Sequence, residues 1–256
     1  MVAKPRKDRE SIMDPRFNAI VSSITAEAYR ERRRRGAVTP QPFVTIARQA
    51  GAGGHTIMEK LVTRLRELDK HDPPWTGFDK ELGELVAGDN ELYRNLVDTL
   101  GEETRSWFQE AFADLTSPGR MDSEFTIYRK VAQAMRALAE HGRVVLVGRG
   151  GVFITRGVVG GVHVQLVAPE EDRIEHMARK MGVSESEAAD EVKRIDRNRA
   201  AFYKKYWWNS DAGLASFTAT FNTAVSTDEQ IVESILPLIP GVQGRPIHET
   251  PVGVGR

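Results

Sequence analysis

Between a β-rich run and a helical one, the chain reads Ile46-Ala47-Arg48-Gln49-Ala50-Gly51-Ala52-Gly53-Gly54-His55-Thr56. Glycines in such a turn let backbone N–H groups curl around an anion, and the start of the next helix adds positive potential. Thr56 stands where a hydroxyl can ligate a metal-bound phosphate. The full phosphate-loop pattern is G-x-x-x-x-G-K-[ST]. Arg48 occupies its first Gly position and Gly54 its Lys position. The same glycines also suit a tight strand-to-helix turn that binds nothing.

Two further segments carry cations into similar places. Val147-Gly148-Arg149-Gly150-Gly151 sets a guanidinium among glycines, where it can approach a phosphate closely and bind through two parallel N–H bonds. Lys193-Arg194-Ile195-Asp196-Arg197-Asn198-Arg199 lies late in a long helical pattern, with Asp196 and Arg199 at i, i+3. A surface arginine and a solvated charged helix are the plainer readings of these two. Turn, strand-end arginine and cationic helix in one unit together suit phosphoryl transfer, which depends on positioning and on neutralising spread negative charge. His71, His141, His163, His176 and His248 have no spacing that builds a metal site with carboxylates. Tyr203, Tyr206, Trp207 and Trp208 read as packing of that helix rather than a base-stacking surface.

The elements needed to position these residues alternate. Strands are expected at Phe43–Ala47, Thr76–Phe78, Arg143–Val147, Val162–Val167 and Phe217–Phe221. Helices are expected from near His55, over 90–114 and 122–141, from Glu170 to Met181, and from a Ser184/Glu187 capping box towards Tyr206. Ser226 with Glu229 is read as the cap of a final helix. Strands alternating with helices predict a parallel sheet covered on both faces, whose ligands bind beyond the strand carboxyl ends. The expected domain runs over about 42–240, followed by a Gly- and Pro-rich tail read as disordered.

Residues 1–13 lack any period, and a helix is expected from Asp14 to Arg35, with Phe17, Ile20, Val21, Ile24 and Ala28 on one face. That face could pair with a second copy of the chain. Lys+Arg and Asp+Glu are both 36, yet residues 1–41 hold ten basic and five acidic side chains, which leaves the rest net acidic. A polyanion-wrapping protein carries its positive excess over the main body too, so nucleic acid is expected to bind, if at all, only through the basic arm. The absence of cysteine excludes disulfides and thiolate chemistry. With no membrane-length apolar run and no secretory leader pattern, the expected location is the cytoplasm.

Taken in order, the motifs resemble the cytidylate-kinase-like family of the nucleoside monophosphate kinases. They are Thr45-Ile46-Ala47-Arg48-Gln49 with Gly51-Ala52-Gly53-Gly54, Phe78-Asp79-Lys80-Glu81-Leu82, Val147-Gly148-Arg149, Ala168-Pro169-Glu170-Glu171-Asp172-Arg173-Ile174, Ile195-Asp196-Arg197-Asn198-Arg199 and Asn222-Thr223. The resemblance implies a five-stranded P-loop kinase α/β fold of strand order 2-3-1-4-5, with a lid around 182–210. It implies ATP, Mg²⁺ and a nucleoside monophosphate acceptor, with cytidine or another pyrimidine leading. Gly51, Ala52, Gly53, Gly54, His55 and Thr56 then match the phosphate-cradling loop, with Thr56 towards the metal. Arg149 matches the contact to the acceptor phosphate. Asp196 matches a lid residue that holds the sugar, and Arg199 one that reaches the transferring phosphate. Asp79 stands at the opening of the monophosphate site.

The chain departs from the family's pattern at two places. The family's cytidylate kinases carry Lys where Gly54 stands, so Arg48, Lys193 or Arg194 is left to supply that cation. They also carry Ser-Gly and an Arg after the aspartate, where this chain has Lys80-Glu81-Leu82-Gly83-Glu84. A glycine-built loop could also place position 54 at positive φ, which would disfavour a side chain there. The alternative function is a catalytically weakened nucleotide-binding regulator, and a third is an adaptor acting through the basic arm.

Overall fold

The computed structural model describes residues 40–71, 74–79, 132, 135, 136, 138–148, 150–206 and 214–242. The expected helices at 14–35 and 90–114, Arg149, Trp207, Trp208 and the tail beyond 242 lie outside the described residues; Val242, read as the start of a disordered tail, is instead buried in the core. Of the helix expected over 122–141, the described part ends at His141 and buries Ala132, Met135, Leu138 and Ala139.

Five strands form one parallel sheet in the order β2-β3-β1-β4-β5, the order expected. They are β1 (Phe43–Arg48), β2 (Thr76–Phe78), β3 (Val144–Val147), β4 (Gly161–Val167) and β5 (Ala219–Asn222). The helices are α1 (Gly54–Leu68), α2 (Gly151–Ile154), α3 (Glu170–Met181), α4 (Glu185–Tyr206) and α5 (Asp228–Ile235). β1 and β3 are short β-branched runs buried along most of their length, as strands covered on both faces should be. α1 turns Ile57, Leu61 and Leu65 into a core shared with Val44, Ile46, Val164, Leu166 and, from α5, Ile231 and Ile235. That packing fixes the start of α1 beside the end of β1, which is where the loop lies. Among the described residues no helix is long and apolar enough to cross a membrane.

β1, β3 and β4 differ by one residue at one end from the bounds read in the sequence, and two differences near the last strand and helix go further. The last strand is Ala219–Asn222 rather than Phe217–Phe221. Thr218 serves as a lead-in: its N–H donates to the His163 carbonyl at 2.7 Å, and its Oγ1 accepts from the His163 N–H at 3.0 Å. The final helix is capped by Thr227 and Gln230, not by Ser226 and Glu229. Thr227 Oγ1 accepts from the Gln230 N–H, and Gln230 Oε1 from the Thr227 N–H. Glu229 is engaged elsewhere, with Lys60 of α1 at 2.7 Å. The Ser184/Glu187 box forms as expected, with Glu187 Oε2 accepting from the Ser184 N–H at 3.0 Å.

Candidate active site

The loop joining β1 to α1 is built by a left-handed step at Gly51 (φ 78°) and another at Gly53 (φ 74°), the N-cap of α1. Gly54 is already helical and has no positive φ, so the backbone does not forbid a side chain there. Its surroundings crowd one: a β-carbon on Gly54 would lie 2.9 Å from Cγ of Arg48, whose side chain would have to shift. At Gly51 a β-carbon would come within 2.3 Å of the Arg173 carbonyl oxygen, so glycine is what lets the loop and α3 touch.

Helix α1 begins with no side-chain cap and no acidic residue in its first turn. α3, by contrast, opens on Glu170, Glu171 and Asp172, and α5 on Asp228 and Glu229 with its box. Acids and caps answer the positive pole and the orphan N–H groups of a helix start. α1 leaves both for something outside the helix. The residues of that turn fit a polyphosphate; counted from Arg48, the motif's hydroxyl position falls on His55, and half-buried Thr56, one residue on, is the first hydroxyl of the turn.

Around this loop the expected lid residues converge. Asp196 of α4 accepts the Ala50 N–H on Oδ1 at 3.0 Å and the Arg173 guanidinium on Oδ2 at 2.6 Å. Buried Arg173 also donates to the carbonyls of Ala50 and Ala168, at 3.0 and 3.1 Å. Arg199, one turn beyond Asp196, donates to the Arg48 carbonyl at 2.9 Å. Gln49 completes the seam, its side-chain oxygen accepting the Ala168 N–H at 3.0 Å. Tyr203 sets its ring against Phe153, centroids 6.2 Å apart, and its hydroxyl accepts from the Gly150 N–H at 3.4 Å. α4 therefore spans from the phosphate-type loop to the turn after β3.

Arg48, at the end of β1, reaches to Asp79, just past β2, with Nη2 to Oδ1 at 2.8 Å. The second Asp79 oxygen faces His55 Nδ1 at 3.3 Å, and His55 Nε2 faces Glu59 at 3.4 Å. Arg48 and His55, seven residues apart, thus meet at Asp79 beyond the next strand, and the three form one polar group at the mouth of the loop. Lys193 and Arg194 do not join it. Both are exposed, with Lys193 3.9 Å from Glu170 and Arg194 2.6 Å from Glu191.

Sequence reasoning did not assign Arg173, Gln49 or Tyr203 to the site. Arg173 follows three acidic residues in a charged helix, a context that reads as solvent. The available clue was Ala168-Pro169 directly before it, which starts the helix at the strand end where loops converge.

A parallel sheet of this order, with a glycine turn leading into an uncapped helix, defines a P-loop-kinase-type protein. The cytidylate kinase-like family model matches residues 43–223, and the chain belongs to that family. A cytidylate kinase of Ignicoccus hospitalis is 26% identical over 192 residues, covering 75% of this chain and 95% of that protein. A uronate isomerase of Corynebacterium glutamicum is 29% identical over 125 residues, 48% of this chain. The chain spans only 24% of that isomerase's length. The crystal structure of an uncharacterized protein from Eubacterium ventriosum shares the fold with a TM-score of 0.53 at 16% identity, covering 78% of this chain and 98% of that one.

Proposed function

We propose that the protein is an ATP- and Mg²⁺-dependent nucleoside monophosphate kinase, with cytidine or another pyrimidine monophosphate as acceptor. The observation that carries this reading is the start of α1, a glycine-built turn whose helix has neither cap nor acid and onto which the α4 residues converge. The backbone N–H groups of Gly51 and of Gly53 to Thr56 hold the donor's polyphosphate at the positive pole of α1, while the Ala52 N–H closes the loop onto the Gln49 carbonyl at 3.2 Å. Mg²⁺, when bound beside Thr56, neutralises charge on the donor's phosphate oxygens. An acceptor phosphate oxygen bonds to the γ-phosphorus as the bond to the β,γ-bridging oxygen breaks, and ADP leaves. Arg149, which follows Gly148 in the sequence, is assigned to the acceptor's phosphate, and Asp79 to the edge of the acceptor site. Asp196 and Arg199 close α4 over the transfer, and their grip on the loop is the route by which closure is felt at the phosphates.

Gly54 favours a second reading, since the family's cytidylate kinases carry Lys at that position: a regulator that binds nucleotide without transferring phosphate. A coupled assay with CMP, dCMP, UMP, AMP and GMP, run beside calorimetry with ATP, separates the two. Turnover greatest with a pyrimidine monophosphate is the expected result. Binding of ATP without turnover on any acceptor would select the regulator, and neither binding nor turnover would reject both.

A further inference from the structure

We infer that Arg48 is the phosphate-loop cation of this protein, reaching the donor from the end of β1 in place of a lysine on the helix. The inference rests on the nucleotide-kinase reading and deepens it. Three cations could stand in for the absent lysine. Lys193 and Arg194 are exposed and face Glu170 and Glu191 on the outer side of the lid. Arg48 instead lays its aliphatic stem across Gly54: a β-carbon there would meet its Cγ at 2.9 Å, its Cδ at 3.2 Å and its Cβ at 3.4 Å. The space a lysine would leave through is therefore already filled, by a side chain ending in a positive charge. Gly54 and Arg48 are two halves of one solution.

The resting position of Arg48 supports the same role. Its stem passes Gly54, the first residue of a helix with no acid in its first turn, an arrangement that favours an added anion. In this structure Asp79 supplies an anion at 2.8 Å, and both side chains are largely buried. Arg199 holds the Arg48 carbonyl at 2.9 Å, so the backbone is fixed while the long side chain can turn about its own bonds. A polyphosphate on the loop gives the guanidinium an acceptor of higher charge than one carboxylate, and a planar fork can engage two oxygens at once. Asp79 is then the partner that keeps the cation aimed until the donor arrives.

The test compares Arg48→Ala, Gly54→Lys, the double variant and, as control, Arg64→Ala on the outer face of α1. Calorimetry with ATP and with AMP is read beside turnover and thermal melting. Arg48→Ala should lose roughly ten- to a hundredfold in ATP affinity or turnover, with AMP binding little changed, because the lost contact serves the outer phosphates. Gly54→Lys alone should gain nothing, since its side chain meets the Arg48 stem and a like charge. The double variant should recover most of the loss. If Arg48→Ala fails to fold, Arg48→Lys replaces it, and retention of the ATP-over-AMP preference supports the assignment. Three results would overturn it while leaving the kinase reading intact: ATP binding as insensitive to Arg48→Ala as to Arg64→Ala, a gain from Gly54→Lys with Arg48 in place, or a folded double variant with no recovery. A wild-type protein that binds no ATP would overturn the kinase reading and this inference together.

Discussion

Gly51 and Gly53 share a left-handed backbone but do not carry the same constraint. At Gly53 an added β-carbon meets nothing within 4 Å, so alanine costs only the conformational strain, about 1 kcal/mol. At Gly51 the same strain is joined by a contact of 2.3 Å with the Arg173 carbonyl, which is backbone and cannot turn aside. Gly51→Ala should therefore destabilise by roughly 2–4 kcal/mol, strain and overpacking together. Urea unfolding of both variants checks this, and equal losses would show that the approach of loop to α3 is soft. Arg173 is buried, so the shift forced at position 51 also disturbs its bonds to Ala50 and Asp196.

Helix α4 is joined to the loop by polar contacts at Asp196 and Arg199 and to α2 by the ring of Tyr203. Asp196→Asn keeps the shape of the side chain but removes the charge that faces the Arg173 guanidinium. Hydrogen exchange at Ala50, whose N–H Asp196 accepts, should accelerate in this variant, with amides of α5 unchanged as the internal reference. Unchanged exchange at Ala50 would mean that the seam through Gln49 and Arg173 holds the loop without α4. The sequence made most of these elements legible because β1, β3 and β4 are short β-branched runs and α3 and α4 have plain start signals. Its pattern was read as a final cap at Ser226-x-x-Glu229, whereas the box forms one residue on, at Thr227-x-x-Gln230. The choice follows from Lys60, 166 positions earlier than Ser226, which draws Glu229 away from a capping role. The glycines and Thr56 of the candidate site were visible from local spacing. The role of Arg173 was not, because its burial requires the loop, the end of β4 and α4 to meet around it.

Across the whole molecule, the sheet is stitched through its centre by one buried histidine. His163 of β4 sets Nδ1 2.8 Å from Thr45 Oγ1 on β1, its N–H bonds Thr218 Oγ1 ahead of β5, and its ring lies edge-on to Phe43, centroids 6.0 Å apart. Burial disfavours the imidazolium and lowers its pKa from 6.5 to about 4. The unfolded chain therefore takes up a proton at higher pH than the native one. The stability that this gives is fully present above pH 6.5 and declines as pH falls towards 4. One such group gives a slope of about 1.4 kcal/mol per pH unit within that window, about 3 kcal/mol in all. His176 contributes in the same direction, its pKa lowered first by burial and then by Arg179 and Lys180. The carboxylates of exposed Glu187 and Glu229 and of half-buried Glu191, held below their ordinary value of 4.5 by hydrogen bonds, act mainly below this range. Denaturant unfolding between pH 7 and pH 5 should accordingly show a fall in stability that His163→Gln largely removes and His176→Gln reduces only slightly. A wild-type curve flat over that interval, or a slope unchanged in His163→Gln, would show that the centre of the sheet accepts a charged imidazole.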